Sequence, residues 1–194
     1  MARRENTQRR RRPFRPPRPR ILVVCGGART EPQYIKGLRD HLRNPAVDVT
    51  IGTDGRDPAQ IVRRATRADG DYEQVWCVVD VDQFDLADAV KEARSHSINL
   101  AVSNPCFELW LLLHHADCNS HQANADAVTK LLQRHVPHYD KTRLVFAHFV
   151  AGVMFAVDRA RKLQPDPETH TWNPSTSVWR LVEAIQGSSG REPQ

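Results

Sequence analysis

Two aspartates separated by one residue, Asp80 and Asp82, directly follow an uninterrupted apolar run at Val75–Val79. In an extended strand, alternate side chains point to the same side, so the two carboxylates would lie next to each other. Carboxylates this close repel each other unless a cation neutralises them, and their hard oxygen atoms suit Mg²⁺ or Mn²⁺. The same spacing also occurs where a polar turn ends a strand. The residues alone therefore leave both a metal site and a plain turn open.

Four further charged residues are candidates for the same site. Glu31 and Asp85 could each add an oxygen ligand, although Glu31 would equally serve as a helix-dipole partner in a first helical turn. Glu108 is the one charged residue in the apolar segment Cys106–His115, where a carboxylate without a partner is costly. It is therefore expected to pair with a base, a polar network or a metal. Arg29 precedes a predicted helix, where it is placed to contact phosphate.

Apolar runs predict the elements that position these residues. Strands are expected at Ile21–Cys25, Val47–Ile51, Val75–Val79 and Ile98–Val102, because the runs are short and bounded by turn residues. Helical stripes separate them: one capped by Thr30, one over about Pro58–Arg67 and one near Leu86–Ser95. This alternation predicts an α/β fold with a mainly parallel sheet flanked by helices. Ligands of such sheets gather at the carboxyl ends of the strands, where the acidic residues lie.

The C-terminal half of the chain is expected to be helical. Ser103, Asn104 and Pro105 are read as the cap of a buried helix over the apolar segment that contains Glu108. Later helices are predicted at about 123–134 and 145–163, and a last one after the capping sequence at 173–177.

Length and composition predict one domain. A chain of 194 residues with 40% hydrophobic residues can bury one sizeable core, which we expect over residues 21–187, with a flexible end at 188–194. No apolar stretch approaches the roughly 20 residues that cross a bilayer, and no secretory signal is evident. The four cysteines show no metal-finger spacing. A soluble cytoplasmic protein with reduced, mostly buried thiols is expected.

The net charge of +5 is distributed unevenly along the chain. Residues 1–20 hold nine arginines against one glutamate, which is +8, and the remaining residues sum to −3. Four prolines and the absence of apolar periodicity predict that this tail is disordered. Its run Arg9, Arg10, Arg11 and Arg12 would bind nucleic acid through phosphate contacts and counterion release. A solubilising extension without a specific partner is the alternative.

Several other chemistries lack their usual motifs. The chain has no Walker-type lysine loop and no G-x-G-x-x-G sequence, which argues against nucleotide hydrolysis by the chain itself, and it has no nucleophile elbow. The histidines around His114, His115 and His121 match no usual zinc spacing, so ordinary surface or network roles are expected for them. Lys141 and Arg143 are read as part of a solvated face.

Four segments in order resemble the RloB-like protein family: 25–34 (CGGARTEPQY), 79–82 (VDVD), 103–110 (SNPCFELW) and 173–176 (NPST). The first is similar to that family's C-E-G-x-x-T-E-x-x-Y pattern and the third to its S-N-P-x-F-E-x-W pattern. The resemblance spans about residues 21–186. It implies a Toprim-like fold and an association with restriction and phage-defence loci. In Toprim enzymes, a Glu after the first strand and an Asp-x-Asp after the third hold Mg²⁺ for phosphodiester chemistry.

One position departs from that pattern. Gly26 stands where the family usually has the Glu that is expected to be the general base or a metal ligand. Two functions therefore remain open. One is a Mg²⁺- or Mn²⁺-dependent nuclease in which Asp80, Asp82 and Glu31 hold the metal, with Glu31 or Glu108 as auxiliary ligand or base and Arg29 on the phosphate. The other is a degenerate subunit that binds nucleic acid through its tail or docks on a partner such as a defence-locus ATPase. RNA, tRNA and DNA all remain possible substrates, and the oligomeric state is open.

Overall fold

A five-stranded sheet forms the centre of the protein in a computed structural model, which describes residues 19–51, 57–81, 85–163 and 171–187. The strands are β1 (Ile21–Cys25), β2 (Val47–Ile51), β3 (Gln74–Asp80), β4 (Asn99–Asn104) and β5 (Ser175–Thr176). Their order is β2-β1-β3-β4-β5, with β1 to β4 parallel and β5 antiparallel to β4. The predicted α/β class is confirmed, and the two most apolar runs, β1 and β3, are neighbours inside the sheet.

Helices cover both faces of this sheet. They are α1 (Thr30–His41), α2 (Pro58–Ala65), α3 (Ala87–Ser95), α4 (Phe107–Leu112), α5 (Ala125–Gln133), α6 (Val153–Leu163) and α7 (Val178–Gly187). Alternate side chains of β1 enter two separate cores because a strand presents successive residues to opposite faces. Val23 and Cys25 pack in a large core with α1 and α4 to α7, whereas Leu22 and Val24 pack in a smaller core with α2 and α3.

The helix predicted over 145–163 is wrong in its first part. Two short 3-10 turns, Phe146–His148 and Val150–Gly152, precede α6. Gly152 lies against the backbone of α4's C-terminal extension, where a Cβ atom would come within 2.4 Å of the carbonyl oxygen of His114. This close approach and the buried side chain of Phe149 determine the path of the chain before α6. They override the helical pattern of the sequence there.

Two predicted helix caps are also wrong. Thr30 is the first residue of α1, not its cap, and its hydroxyl donates a hydrogen bond to the carbonyl oxygen of Lys141 at 2.8 Å. Asn104 is the last residue of β4 and pairs with Ser175, while Cys106 occupies the cap position of α4. Both residues instead contact distant parts of the chain, Thr30 at Lys141 and Asn104 at Ser175.

The four cysteines are free and buried, as the sequence predicted for reduced thiols. Within the described ranges, no helix combines the length and apolarity needed to cross a membrane. The last residue of the expected tail, Arg20, contacts the domain: its guanidinium donates to Asp48 at 2.7 Å and lies 4.6 Å from the centre of the Tyr72 ring.

Candidate functional site

Acidic side chains from three parts of the chain meet at the carboxyl edge of the parallel strands. Asp80 is the last residue of β3, in register with Ser103 of β4, and its Oδ1 atom is buried. Glu31 lies in the first turn of α1, directly after β1, and Glu108 lies in the first turn of α4, directly after β4. The parallel topology therefore brings Glu31, Asp80 and Glu108 to one edge of the sheet, whereas Asp82 lies outside the described residues.

Gly26 continues β1 across the top of β3. Its N–H donates to the carbonyl oxygen of Val78 at 2.8 Å, so the two backbones are close. A Cβ atom at position 26 would lie 2.8 Å from Cδ1 of Ile61 in α2 and 3.2 Å from the carbonyl oxygen of Val78. The glutamate that the family usually carries here would thus require the Ile61 side chain to move.

Gly27 makes room for the carboxylate of Glu31. A Cβ atom at position 27 would fall 2.0 Å from Oε2 and 2.3 Å from Oε1 of Glu31, which no real side chain allows. The carboxylate folds back over this glycine, and the nearby backbone N–H groups of Glu31 and Gly27 act to lower its pKa. Gly27 therefore leaves the space that one acidic side chain occupies.

The environment of Glu31 favours its protonated form. Glu31 is only 6% exposed, and this burial raises the pKa of its carboxyl group above the usual value. The negative charge of Glu108 raises the pKa further, while the two backbone N–H donors oppose the rise. A carboxyl group with a raised pKa is suited to hold a proton or to exchange its proton for a cation.

Glu108 is fixed by a tyrosine from a distant loop. The hydroxyl of Tyr139 donates to Oε1 of Glu108 at 3.0 Å, and Tyr139 is itself buried. Burial and the charge of Glu108 both raise the pKa of the Tyr139 hydroxyl, so it remains a donor. Glu108 is partly exposed, unlike Glu31, and can meet a molecule that arrives from solvent. Its predicted need for a partner is met by this bond.

The Cys106 thiol lies among these acids. Burial raises its pKa well above the usual value, and the negative charges of Glu108 and Asp80 raise it further. In the same way, burial and the charge of Glu31 raise the pKa of the Cys25 thiol. The three carboxylates thus lie around two thiols that stay neutral.

The described ranges contain no group of three or more His, Cys, Asp or Glu side chains that could hold one metal ion. Oxygen donors nevertheless dominate the edge, and Mg²⁺ commonly binds through one or two carboxylates, several waters and the phosphates of a substrate. The carboxylate oxygens at this edge are of the type that a hard divalent cation prefers.

Other candidate residues surround this acidic edge or lie apart from it. Arg29 is exposed just before α1. The N–H and hydroxyl of Thr142 donate hydrogen bonds to Asp140 and lower the pKa of its carboxyl group, and the charges of Arg29 and Arg143 lower it further. Asp85 is not in the cluster, because its carboxylate accepts the N–H of Ala87 at the start of α3. The arginines at 9–12 lie outside the described residues.

The histidine-rich segment after α4 has a packing role. His114 is buried, with Nε2 2.9 Å from the hydroxyl of Tyr34 and Nδ1 2.9 Å from the carbonyl oxygen of Trp110. Burial lowers its pKa to about 3, so the ring is neutral. The ordinary network role expected for this histidine agrees with its contacts.

Sequence reasoning missed two residues of the site. Tyr139 carries no motif, and its tie to Glu108 links residues 31 positions apart in the chain. Gly27 stands within the first segment of the family resemblance, where the sequence gives it no role of its own. A possible signal for its role was the spacing of four between Gly27 and Glu31, because the first turn of a helix can return a side chain to the preceding loop.

The comparison with protein families gives one match. The family model described as RloB-like protein matches residues 21–185, which contain every described acidic residue of the site. No curated protein and no solved structure matches the chain.

Proposed function

Because the chain belongs to the RloB-like protein family, we propose that it is a divalent-metal-dependent nuclease that cleaves phosphodiester bonds of RNA or DNA. The observation that supports this proposal best is the convergence of Glu31, Asp80 and Glu108 at the carboxyl edge of a parallel sheet. Three carboxylates that raise the pKa of their neighbours call for a cation, and a cation at this edge would attract a phosphate.

Asp80 and Asp82 are the proposed protein ligands of Mg²⁺ or Mn²⁺, with Glu31 as an additional oxygen donor. When bound, the cation would supply positive charge against the phosphate oxygens and the attacking water. Glu31 is shielded from solvent and burial raises its pKa, so a bound cation would favour the ionised carboxylate that serves as this donor.

Glu108 is the proposed proton acceptor. It is partly exposed, and Tyr139 keeps one of its oxygens in a fixed position, so the other oxygen can face a water molecule beside the phosphate. Arg29, exposed at the start of α1, would contact a phosphate of the strand. In this arrangement Glu108 performs the proton transfer that the family's usual glutamate would perform from position 26.

Cleavage of labelled RNA and DNA in Mn²⁺ or Mg²⁺ tests the proposal. Glu108→Gln should lower the cleavage rate by about a hundredfold or more, because general acid–base groups typically contribute that much. Asp80→Asn should also lower the rate, because it removes a proposed ligand of the cation. Asp126→Asn is the matched control, since it removes one negative charge from an exposed position on α5. Equal rates for wild type and Asp80→Asn would reject the nuclease.

A binding role without catalysis is the second candidate, and Gly26 favours it because one carboxylate of the family pattern is missing. In this case the chain would hold nucleic acid through Arg9, Arg10, Arg11 and Arg12 or dock on a defence-locus ATPase. Retained binding of RNA or DNA, with no cleavage above that of Asp80→Asn, would support this candidate. Either activity would take place in the cytoplasm, where the four free thiols would stay reduced.

A further inference from the structure

A groove with a cavity volume of about 570 Å³ lies on the sheet face that carries α2 and α3. Its floor is formed by Leu22 and Val24 of β1 and by Thr50 of β2. The acidic edge lies on the other side of β1, because Cys25, which interacts electrostatically with Glu31, packs in the opposite core. The groove is therefore separate from the proposed nuclease site.

Arginines of α2 and the loop after it form one wall of the groove. Arg63, Arg64 and Arg67 all line it, together with the amide of Gln60. Arg63 lies 3.8 Å from Asp57, but both side chains are well exposed, so this ion pair is weak. Three guanidinium groups within five residues, two on α2 and one in the turn after it, give this wall a concentrated positive charge.

Tyr72 forms the end of the groove and is held in place. Its hydroxyl donates to Asp48 at 3.0 Å, and Asp48 also accepts the bond from Arg20. The guanidinium of Arg20 lies 4.6 Å from the ring centre, where it covers the aromatic ring. The position of the ring is thus fixed by two partners, Asp48 and Arg20, that do not belong to the arginine wall.

We propose that this groove binds a nucleotide. Guanidinium groups match phosphate oxygens in geometry and charge, and the exposed Ala68 and the half-buried Tyr72 offer apolar surface to a base or sugar. The volume falls within the range of about 300–1,000 Å³ that is typical of small-molecule sites.

The phosphate can come from a free nucleotide or from the backbone of a nucleic-acid strand, and two probes distinguish these sources. Full-length protein in EDTA would be titrated with fluorescent N-methylanthraniloyl-ATP and, separately, with a labelled ten-nucleotide oligothymidylate. EDTA removes divalent cations, so binding through the acidic edge does not contribute. The tail is present in every variant and contributes equally to all titrations.

Arg63→Gln combined with Arg67→Gln should weaken the better-bound probe by about tenfold or more, because hydrogen bonds to charged groups contribute that much. Both side chains are exposed, so the fold should survive. Ala68→Phe fills the groove without a change of charge and should weaken binding as well. Arg94→Gln, at the end of α3 outside the groove, is the matched control and should stay within twofold of wild type.

The three variants distinguish binding of the probe in the groove from nonspecific attraction of the probe to positive charge on the surface. Loss of affinity in both the double-arginine variant and Ala68→Phe, with Arg94→Gln unchanged, supports the proposal for whichever probe shows it. The proposal is overturned if neither probe binds saturably. It is also overturned if Ala68→Phe binds like wild type or if Arg94→Gln weakens binding as much as the double-arginine variant does. None of these results depends on whether the acidic edge cleaves nucleic acid.

Discussion

Restoring the family's glutamate at position 26 tests how closely α2 packs over the start of the site. A Cβ atom at Gly26 would lie 2.8 Å from Cδ1 of Ile61, whereas carbon atoms prefer to be about 3.5–4.0 Å apart. Ile61 is only 3% exposed, so its terminal methyl group cannot turn into solvent. The carbonyl oxygen of Val78, 3.2 Å away, belongs to the backbone and yields less easily.

The expected cost follows from these contacts. Overpacking of a core usually destabilises a protein by about 1–3 kcal/mol, and we expect Gly26→Glu to fall in this range. Ile61→Val removes the Cδ1 methyl group and alone should cost about 0.5–1.5 kcal/mol. In the double variant, the methyl group that clashes is the one removed. The double variant should therefore be more stable than the sum of the single changes predicts, by about 1 kcal/mol.

Urea denaturation in EDTA measures this coupling directly. Ile35→Val is the matched control, since Ile35 is a fully buried residue of α1 in the opposite core and loses the same methyl group. Gly26→Glu combined with Ile35→Val should give additive costs. An equal reduction of the Gly26→Glu destabilisation by Ile35→Val and Ile61→Val, or no reduction by either, would contradict this expectation. The contact between position 26 and α2 would then not be the cause of that destabilisation.

Manganese affinity, measured by calorimetry on the same variants, tests whether the new carboxylate shares a cation with Asp80. Gly26→Glu with Ile61→Val should bind Mn²⁺ more tightly than Ile61→Val alone, because a further hard oxygen donor is close to the acidic edge. The gain should vanish when Asp80→Asn is added. An equal gain with and without Asp80 would show that the added glutamate binds the ion elsewhere.

Three further predictions concern single features of the protein. Gly27→Ala should destabilise the protein by about 1–3 kcal/mol through the Glu31 carboxylate, so urea denaturation should show a much smaller cost in a Glu31→Ala background; an equal cost would disprove this cause. Burial lowers the pKa of His114 to about 3, so the unfolded chain binds this proton first as the pH falls below 6.5. Stability should then fall by up to about 1.4 kcal/mol per pH unit between these two pKa values, a slope that His114→Gln should reduce and the exposed His138→Gln should keep. Removal of residues 1–18, which spares Arg20 and its contacts, should weaken RNA binding and flatten its salt dependence; unchanged affinity at low salt would show that the tail is not the binding arm.

The core of the fold could be predicted because its signals are local. Runs such as Ile21–Cys25 are apolar at every position, which is typical of strands buried on both faces, and the turns and helical stripes between them dictate parallel crossovers. The meeting of Asp80 with Glu31 and Glu108 then follows from topology, since parallel strands bring their carboxyl ends to one edge.

The rest depends on contacts between distant residues. Strand β5 has only two residues, and they form a strand because β4 offers an unpaired edge, with Ser103 and Thr176 hydroxyls 3.0 Å apart. Thr30 has the right side chain for a cap, but it bonds to Lys141 instead. The arginines of α2 look like an ordinary solvated helix face, and only the position of β2 beside them reveals a groove.

The late position of β5 and α7 in the chain has a consequence for biosynthesis. Ser177 binds the backbone of Val102, and the side-chain amide of Asn44 donates to the carbonyl oxygen of Ile185, so these bonds form only after the segment through α7 has been made. Until then, β4 lacks β5 as its neighbour and exposes an edge with Leu100, Ala101 and Val102 at its centre, and such edges pair readily with other chains. A chain cut short between α6 and β5 would therefore be prone to aggregation.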